Sequence, residues 1–136
     1  AENSEFIPLS IKLEAEISEL EQNEKESFLK DLGINQPALE KLIRTSYNSL
    51  GLGTFFTAGE KEVRSWIIKK GSLAPEAAGV IHTDFQKGFI RAEVISFEDY
   101  IAHEGDQGAK IAGKLRSEGS EYVVNEGDVI LFRFNV

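Results

Sequence analysis

The spacing of apolar residues changes at the short segment Leu50-Gly51-Leu52-Gly53. Before this segment, apolar residues recur at helical intervals in three stretches, most clearly in residues 39–50. After it, short β-branched and aromatic runs alternate with turn residues, a pattern typical of strands. The sequence therefore predicts a mainly helical segment followed by a domain built around a β-sheet.

The helical segment carries signals for where its elements begin and end. Residues 5–10 (EFIPLS) predict an edge strand or a strand end, because Pro8 cannot donate a hydrogen bond to a sheet ladder. Ser10 can cap the helix that follows. Gly33 and Gly51 are predicted to end later helices, since glycine is favoured just after a helix C-cap.

The second part of the chain has the element pattern of an α+β domain. Residues 54–58 (TFFTA) and 62–70 (EVRSWIIKK) predict a hairpin. A helix at 75–82 and a strand at 89–97 follow, and then helical turns broken by glycines as far as residue 119. EYVV and VILFRF, the latter at the end of the chain, predict two further strands. The order β-β-α-β-turns-β-β indicates a mixed sheet crossed by one helix, as in the β-grasp or ubiquitin-like fold.

Composition excludes several classes of protein. The 136 residues contain no cysteine, which excludes disulfide scaffolds and thiolate metal sites and fits a reducing compartment. The sequence contains no run of 18 apolar residues, so it predicts no membrane-spanning helix. The sequence also lacks methionine, even at position 1, which predicts a piece of a longer protein.

His82 and Asp84, in the stretch IHTDFQKG, invite a catalytic interpretation. A small enzyme using this pair would also need a nucleophile, and the sequence has no G-x-S-x-G segment to supply one. A second histidine, His103, does not complete a metal site by its spacing. The favoured interpretation is structural: His82 lies at a helix C-terminus, and Asp84 forms a turn.

A binding surface is the stronger functional hypothesis from the residues. The net charge is −8, but residues 61–91 hold six bases and three acids, a local charge of +3. If Arg64, Trp66, Arg91 and Arg133 share the sheet face that the helix leaves open, they form a basic-aromatic platform for single-stranded nucleic acid. The alternative is that Trp66 packs against residues 36–50 and the arginines pair with nearby acids. The full candidate partner-binding set is Arg64, Trp66, Lys70, Lys87, Arg91 and Arg133.

Three segments together resemble a known family. FFTAGEKEVR, APEAAGVIHTDFQKGFIRAEVI and EGDVILFRFNV look like the carboxy-terminal TGS domain of the YchF subfamily of Obg-related P-loop NTPases. Upstream, FIPLSIKLEAEISELE and LKDLGINQPALEKLIRTSYNSLGL resemble the segments that precede this domain in the family. The resemblance covers essentially the whole chain.

The resemblance implies an organisation and a role. Residues 1–20 would be a remnant of the nucleotide-binding domain, 21–53 a helical linker, and 54–136 a β-grasp TGS domain. The parent protein would bind ATP or GTP with Mg and hydrolyse it. This piece would hold no cofactor of its own, since no G-x-x-x-x-G-K-[ST] loop is present. Ser10, Ile11 and Lys12 match the family's Ser-Ala-Lys segment near the base, with isoleucine where alanine is common.

The same resemblance implies partners and a location. The domain would serve contacts to RNA, to the ribosome or to the nucleotide domain of the parent chain, in the cytoplasm. An alternative role is purely structural, with the domain closing over that nucleotide domain. A membrane partner is not expected.

Overall fold

The computed structural model describes residues 6–59 and 61–135, and the chain divides into two units, Ala1–Leu50 and Gly51–Val136. Unit 1 is helical, with α1 at Ile11–Glu19, α2 at Gln22–Asp31 and α3 at Ala38–Ser49. Ser10 caps α1 as predicted: its hydroxyl accepts a hydrogen bond from the Leu13 N–H at 3.4 Å.

The predicted strand at residues 5–10 is wrong for the part that can be compared. Residues 1–5 lie outside the described residues, and residues 6–10 do not form a strand. A strand needs a neighbour for its backbone hydrogen bonds. Every regular element described in unit 1 is a helix, so that neighbour is missing there.

The start of α3 is capped by a side chain from α1. Pro37 occupies the N-cap position and offers no side-chain hydrogen bond. The Glu14 carboxylate instead accepts hydrogen bonds from the Ala38 and Leu39 N–H groups, at 2.8 and 3.3 Å. A carboxylate at a helix N-terminus also interacts favourably with the helix dipole. Glu14 therefore holds two helices of unit 1 together.

The described part of unit 2 contains a five-stranded sheet and four short helices. In chain order these are β1 (Leu52–Ala58), β2 (Val63–Lys69), α4 (Ala74–Ile81), α5 (Thr83–Lys87), β3 (Phe89–Ile95), α6 (Phe97–Ala102), α7 (Asp106–Ile111), β4 (Arg116–Glu118) and β5 (Val129–Phe134). The sheet order is β2-β1-β5-β3-β4, with β1 parallel to β5 and the other neighbours antiparallel. The predicted α+β class and mixed sheet are confirmed.

The fourth strand is not where the sequence predicts it. Residues 121–124 contribute only an isolated bridge between Val123 and Leu73. Their backbone pairs with the segment after β2, where Ala74 N–H donates to the Tyr122 carbonyl and Val124 N–H to the Ser72 carbonyl. The edge strand is β4, in a stretch that the sequence predicts as helical turns.

The sheet has two different faces. The core face packs under α4, whose Ala74, Ala77 and Ala78 are fully buried. The strands contribute these buried apolar residues to it: Phe55, Ile68, Ala92, Val94, Ile130 and Phe132. On the opposite face, here called the far face, the Phe97 ring of α6 lies 5.9 Å from the Phe56 ring.

A β-bulge changes which residues of β3 share a face. The register against β5 shifts between Phe89 and Arg91. Phe89 pairs with Phe134 and its ring lies near Phe132 on the core face, whereas Arg91 pairs with Arg133 on the far face. Strict alternation along a strand would put Phe89 and Arg91 on one face, and the extra residue of the bulge puts them on opposite faces instead.

Candidate functional site

The tryptophan of the predicted platform lies on the core face. Trp66 is the cross-strand partner of the buried Phe55 and packs against the core of unit 2. Its indole N–H donates to the Thr57 hydroxyl at 2.9 Å. The Arg64 guanidinium carbon lies 4.4 Å from the centre of the indole ring. This cation–π contact orients Arg64 and covers part of the aromatic surface.

The other two arginines lie on the far face around a shared carboxylate. Arg133 donates to both oxygens of Glu93, from Nε at 3.2 Å and from Nη2 at 2.9 Å, and Arg91 donates to Glu93 Oε1 at 3.1 Å. Both arginine side chains are half-exposed, while the Glu93 side chain is 15% exposed. We call Arg91, Glu93 and Arg133 the arginine clamp; its net charge is +1.

The structure therefore does not bring the four platform residues together. Strand alternation sends Arg64 and Trp66 to the core face, and register with β5 sends Arg91 and Arg133 to the far face. The two remaining candidates are exposed at other positions. Lys70 directly follows β2, and Lys87 is the last residue of α5.

The clamp borders a cavity of about 410 Å³ on the far face. Glu93, Arg133 and Leu131 contribute to one wall, and Asp106, Lys110 and Ile111 of α7 contribute to the other. No sequence pattern points to the α7 residues as part of a site, because their stretch predicts only helical turns. The cavity thus combines polar groups of both signs with apolar surface, and Lys110 adds a third cation beside the clamp.

The clamp has an electrostatic signature. The hydrogen bond from Arg133 is the largest cause that lowers the pKa of Glu93 below its ordinary value, and Arg91 adds to it against the opposing effect of burial. Pairing with Glu93 likewise raises the pKa of Arg133. The carboxylate is therefore held in its charged form in the folded state.

We expect the clamp to stabilise unit 2 only above acidic pH. Because the pKa of Glu93 is lowered on folding, its contribution is fully present above the unfolded value of about 4.3 and is lost as the pH falls through the folded value. Urea unfolding of the wild type and Glu93→Gln between about pH 6 and 3 should show a stability difference that shrinks with acidification. In an Arg133→Ala background the shrinkage should be smaller. An equal shrinkage in both backgrounds would contradict the assignment to Arg133.

His82 and Asp84 occupy structural positions. His82 ends α4 and caps α5, and its Nδ1 accepts a hydrogen bond from the Asp84 N–H at 3.2 Å. Asp84 Oδ2 lies 3.5 Å from the same nitrogen, and both side chains are about half-exposed. No serine or threonine hydroxyl among the described residues is hydrogen-bonded to the imidazole, so the arrangement does not favour nucleophilic catalysis.

Two stretches whose sequences suggest a nucleotide site have structural roles in this fold. Ser10 is the N-cap of α1, while Ile11 and Lys12 are exposed in its first turn. Gly108 and the Gly113-Lys114 pair have P-loop spacing, but Leu115 replaces the hydroxyl residue. Residues 106–111 form α7, so their N–H groups do not form a phosphate-binding loop. The Lys114 ammonium is 3.4 Å from Asp99 Oδ1.

Metal-binding clusters and membrane-spanning helices are both absent from the described residues. Within residues 6–59 and 61–135, no three His, Asp or Glu side chains cluster in a way that could hold a metal ion. Over the same residues, none of the helices has the length and apolar character needed to cross a bilayer.

Comparisons with known proteins agree on one family. The family model YchF-GTPase_C, described as a protein of unknown function (DUF933), matches residues 52–135. The chain is 59% identical over 135 residues to "Ribosome-binding ATPase YchF" of Bacillus subtilis, covering 99% of this chain and 37% of the relative. It is 47% identical over 129 residues to "Obg-like ATPase 1" of Gallus gallus, covering 95% and 32%.

The fold agrees with a solved relative. The structure of the Schizosaccharomyces pombe YchF GTPase matches with a TM-score of 0.82 at 39% identity, covering 96% of this chain and 34% of that chain. This chain therefore spans about a third of the length of its relatives. Because the family model matches more than half of the chain, covering almost all of unit 2, the chain belongs to the YchF-GTPase_C family.

Proposed function

We propose that this chain is the carboxy-terminal region of a ribosome-associated YchF-type ATPase or GTPase, and that unit 2 is a β-grasp TGS domain acting as a binding module. The relatives named as ribosome-binding ATPases support the role. The order β2-β1-β5-β3-β4, with a central parallel pair and α4 across one face, supports the β-grasp assignment. Residues 1–20 are then the remnant and the linker follows; the TGS domain, predicted as 54–136, is taken to begin with unit 2 at Gly51, because β1 starts at Leu52.

In this proposal the chemistry belongs to the rest of the parent protein. ATP or GTP with Mg would bind residues outside this sequence, because the sequence contains no P-loop. Ser10, Ile11 and Lys12 would lie near the base only in the complete nucleotide domain. Association with the ribosome places the parent in the cytoplasm. The carboxy-terminal region would supply recognition of the partner.

The arginine clamp is the observation that carries the binding proposal. A guanidinium matches phosphate geometry and stays charged at all physiological pH values. Arg91 and Arg133 are adjacent across β3 and β5, half-exposed, and held in position by one carboxylate. Lys110 lies on the same cavity. We infer that the far face contacts RNA phosphates, whereas Arg64, Trp66, Lys70 and Lys87 belong to other surfaces and contribute less.

The test is co-sedimentation of this chain with ribosomes at about 50 to 200 mM salt. The wild type should bind at the lower salt and lose affinity steeply as salt rises, because RNA binding releases counterions. Arg91→Ala with Arg133→Ala should weaken binding at every salt concentration. The double variant should also reduce the slope of log affinity against log salt by about 2, one unit per lost phosphate contact.

The matched control is Arg64→Ala, which removes an arginine from the core face of the same sheet. It should leave ribosome binding close to wild type. Loss of binding in Arg64→Ala but not in the double variant would move the site to the core face. A wild-type chain that fails to sediment with ribosomes at low salt would sink the binding role of this region.

A further inference from the structure

The edge strand β2 presents an unused row of backbone hydrogen-bonding groups. β2 stands at one end of the sheet order and, among the described residues, is paired only with β1. The Lys70 N–H donates to the Gly51 carbonyl at 2.8 Å. This bond determines which residues of β2 are hydrogen-bonded to β1, because bonded and non-bonded pairs alternate along an antiparallel ladder. Residues 64, 66 and 68 then direct their backbone groups to β1, and Val63, Ser65 and Ile67 direct theirs away from the sheet.

The hydrogen bonds on the opposite side of β1 independently show the same outward-facing residues of β2. The Phe56 N–H donates to the Asp128 carbonyl, and the Thr54 carbonyl accepts from the Gly127 N–H, both at 2.8 Å. Residues 54 and 56 thus face the β5 side, and their partners Ile67 and Ser65 must face outward. The outward row of β2 is fixed by two sets of hydrogen bonds.

This edge is long enough to accept another strand. β2 has seven residues, a length of about 23 Å at about 3.3 Å per residue. The opposite edge strand, β4, has only three residues. Short edge strands are one way in which proteins prevent strand addition, and β2 lacks this protection. Of the two edge strands, β2 is therefore the one that favours addition of another strand.

A groove lined by both apolar and charged residues runs beside the same edge. It lies between the end of β2 and α4 and has a volume of about 530 Å³. Ile67 and Val80 line it and are 48% and 47% exposed, and the buried Ile68 lines it as well. A strand laid along β2 would place alternate side chains against this surface, so backbone pairing and side-chain burial would occur together.

The positive charge of β2 and its flanks indicates which kind of strand could bind there. Positions 61–70 hold four bases and one acid, and Lys69 lies on the groove itself. Antiparallel pairing with a second copy of β2 would oppose these cations to one another, which is unfavourable across a strand pair. We propose that β2 accepts an extended peptide of a partner protein, with a short Val/Ile-rich core flanked by acidic residues, as a sixth strand of the sheet.

The probe is a synthetic eight-residue peptide with four alternating Val and Ile residues and two Asp or Glu residues at each end. Added to the full chain at up to about 1 mM, the weak end of measurable affinity, it should shift amide signals of Val63, Ser65, Ile67 and Val80. It should also slow hydrogen exchange of the Ser65 and Ile67 N–H groups. A peptide with the same core and lysines at its ends should bind about tenfold more weakly.

Variants separate the backbone from the groove. Ser65→Pro removes an outward-facing donor and should abolish the slowed exchange, because proline is tolerated on an edge but cannot pair. Val80→Glu and Lys69→Glu alter exposed side chains without touching the β1 ladder, and each should weaken binding about tenfold. Arg91→Ala with Arg133→Ala should leave peptide binding unchanged, since these residues lie on the far face of other strands.

Three results would overturn the proposal. One is the absence of shifts at the highest peptide concentration, and another is shifts centred on the arginine clamp. The third is concentration-dependent dimerisation of the chain alone through β2, seen by sedimentation, which would assign the edge to a second copy. Ribosome binding by the wild-type chain is measured separately. If the chain fails to bind ribosomes, the peptide test still decides whether β2 accepts a strand.

Discussion

Replacing Asp128 with alanine is expected to lower the free energy of unfolding of unit 2 by about 3 kcal/mol. The Asp128 side chain is 3% exposed. Its Oδ2 accepts hydrogen bonds from the Tyr122 hydroxyl at 2.7 Å and from the Asn125 N–H at 2.9 Å, and its Oδ1 lies 3.7 Å from Arg116 Nη2. Alanine would leave these donors without their acceptor.

The effect should be large because Asp128 is the centre of a network. The Tyr122 oxygen accepts further hydrogen bonds from Arg116 at 3.1 Å and from the Asn125 side-chain amide at 2.9 Å. Burial is the main cause that raises the pKa of Tyr122, and the hydrogen bond to Asp128 adds to it. The phenol therefore remains protonated and donates to Asp128. The network joins β4 to the turn that precedes β5.

Urea unfolding at neutral pH measures the loss. Asp128→Asn keeps an acceptor oxygen but loses the charge, so it should cost less than alanine. Glu121→Ala, an exposed carboxylate in the same loop, should change stability by less than about 0.5 kcal/mol. If Asp128→Ala also fell within that range, the network would not stabilise the fold.

Local signals explain why much of unit 2 was predictable. The hairpin of β1 and β2, the helix α4 and the closing strand β5 each have their own periodicity and turn residues. The position of β4 depends on distant partners instead. Arg116 and Glu118 find β3 about 24 residues earlier in the chain, while residues 121–124 pair with the turn after β2. Sequence periodicity carries no information about such competition between partners.

The candidate site shows the same division. Arg91 and Arg133 could be named from the sequence as basic residues on strands, but their adjacency comes from the β3–β5 register. Glu93 was missed because a lone carboxylate in a strand resembles any solvated charge. The bulge beside Arg91 determines which face of the sheet Arg91 lies on, and no residue type in FIRAEVI predicts a bulge. Tertiary pairing, which sequence spacing does not encode, assembled the clamp.

Phe55→Ala should have the largest effect on stability, about 3 to 5 kcal/mol. The Phe55 side chain is fully buried in the core cluster, and its ring meets Phe132 edge-on with centres 5.9 Å apart. Alanine would leave a cavity beneath α4. Phe97→Ala is the matched control, because this ring is 46% exposed and should cost much less.

Amide hydrogen exchange on the full chain is the informative measurement, because it reports each unit by itself. Phe55→Ala should speed exchange throughout the unit 2 strands. Residues 6–20 should exchange faster than those strands in the wild type, since Ile17 is the only buried apolar residue in the described part of unit 1. Their exchange should hardly change in the variant. Equal acceleration of both units would instead mean that the chain unfolds as one cooperative body, with the stability of unit 1 depending on the Phe55 core.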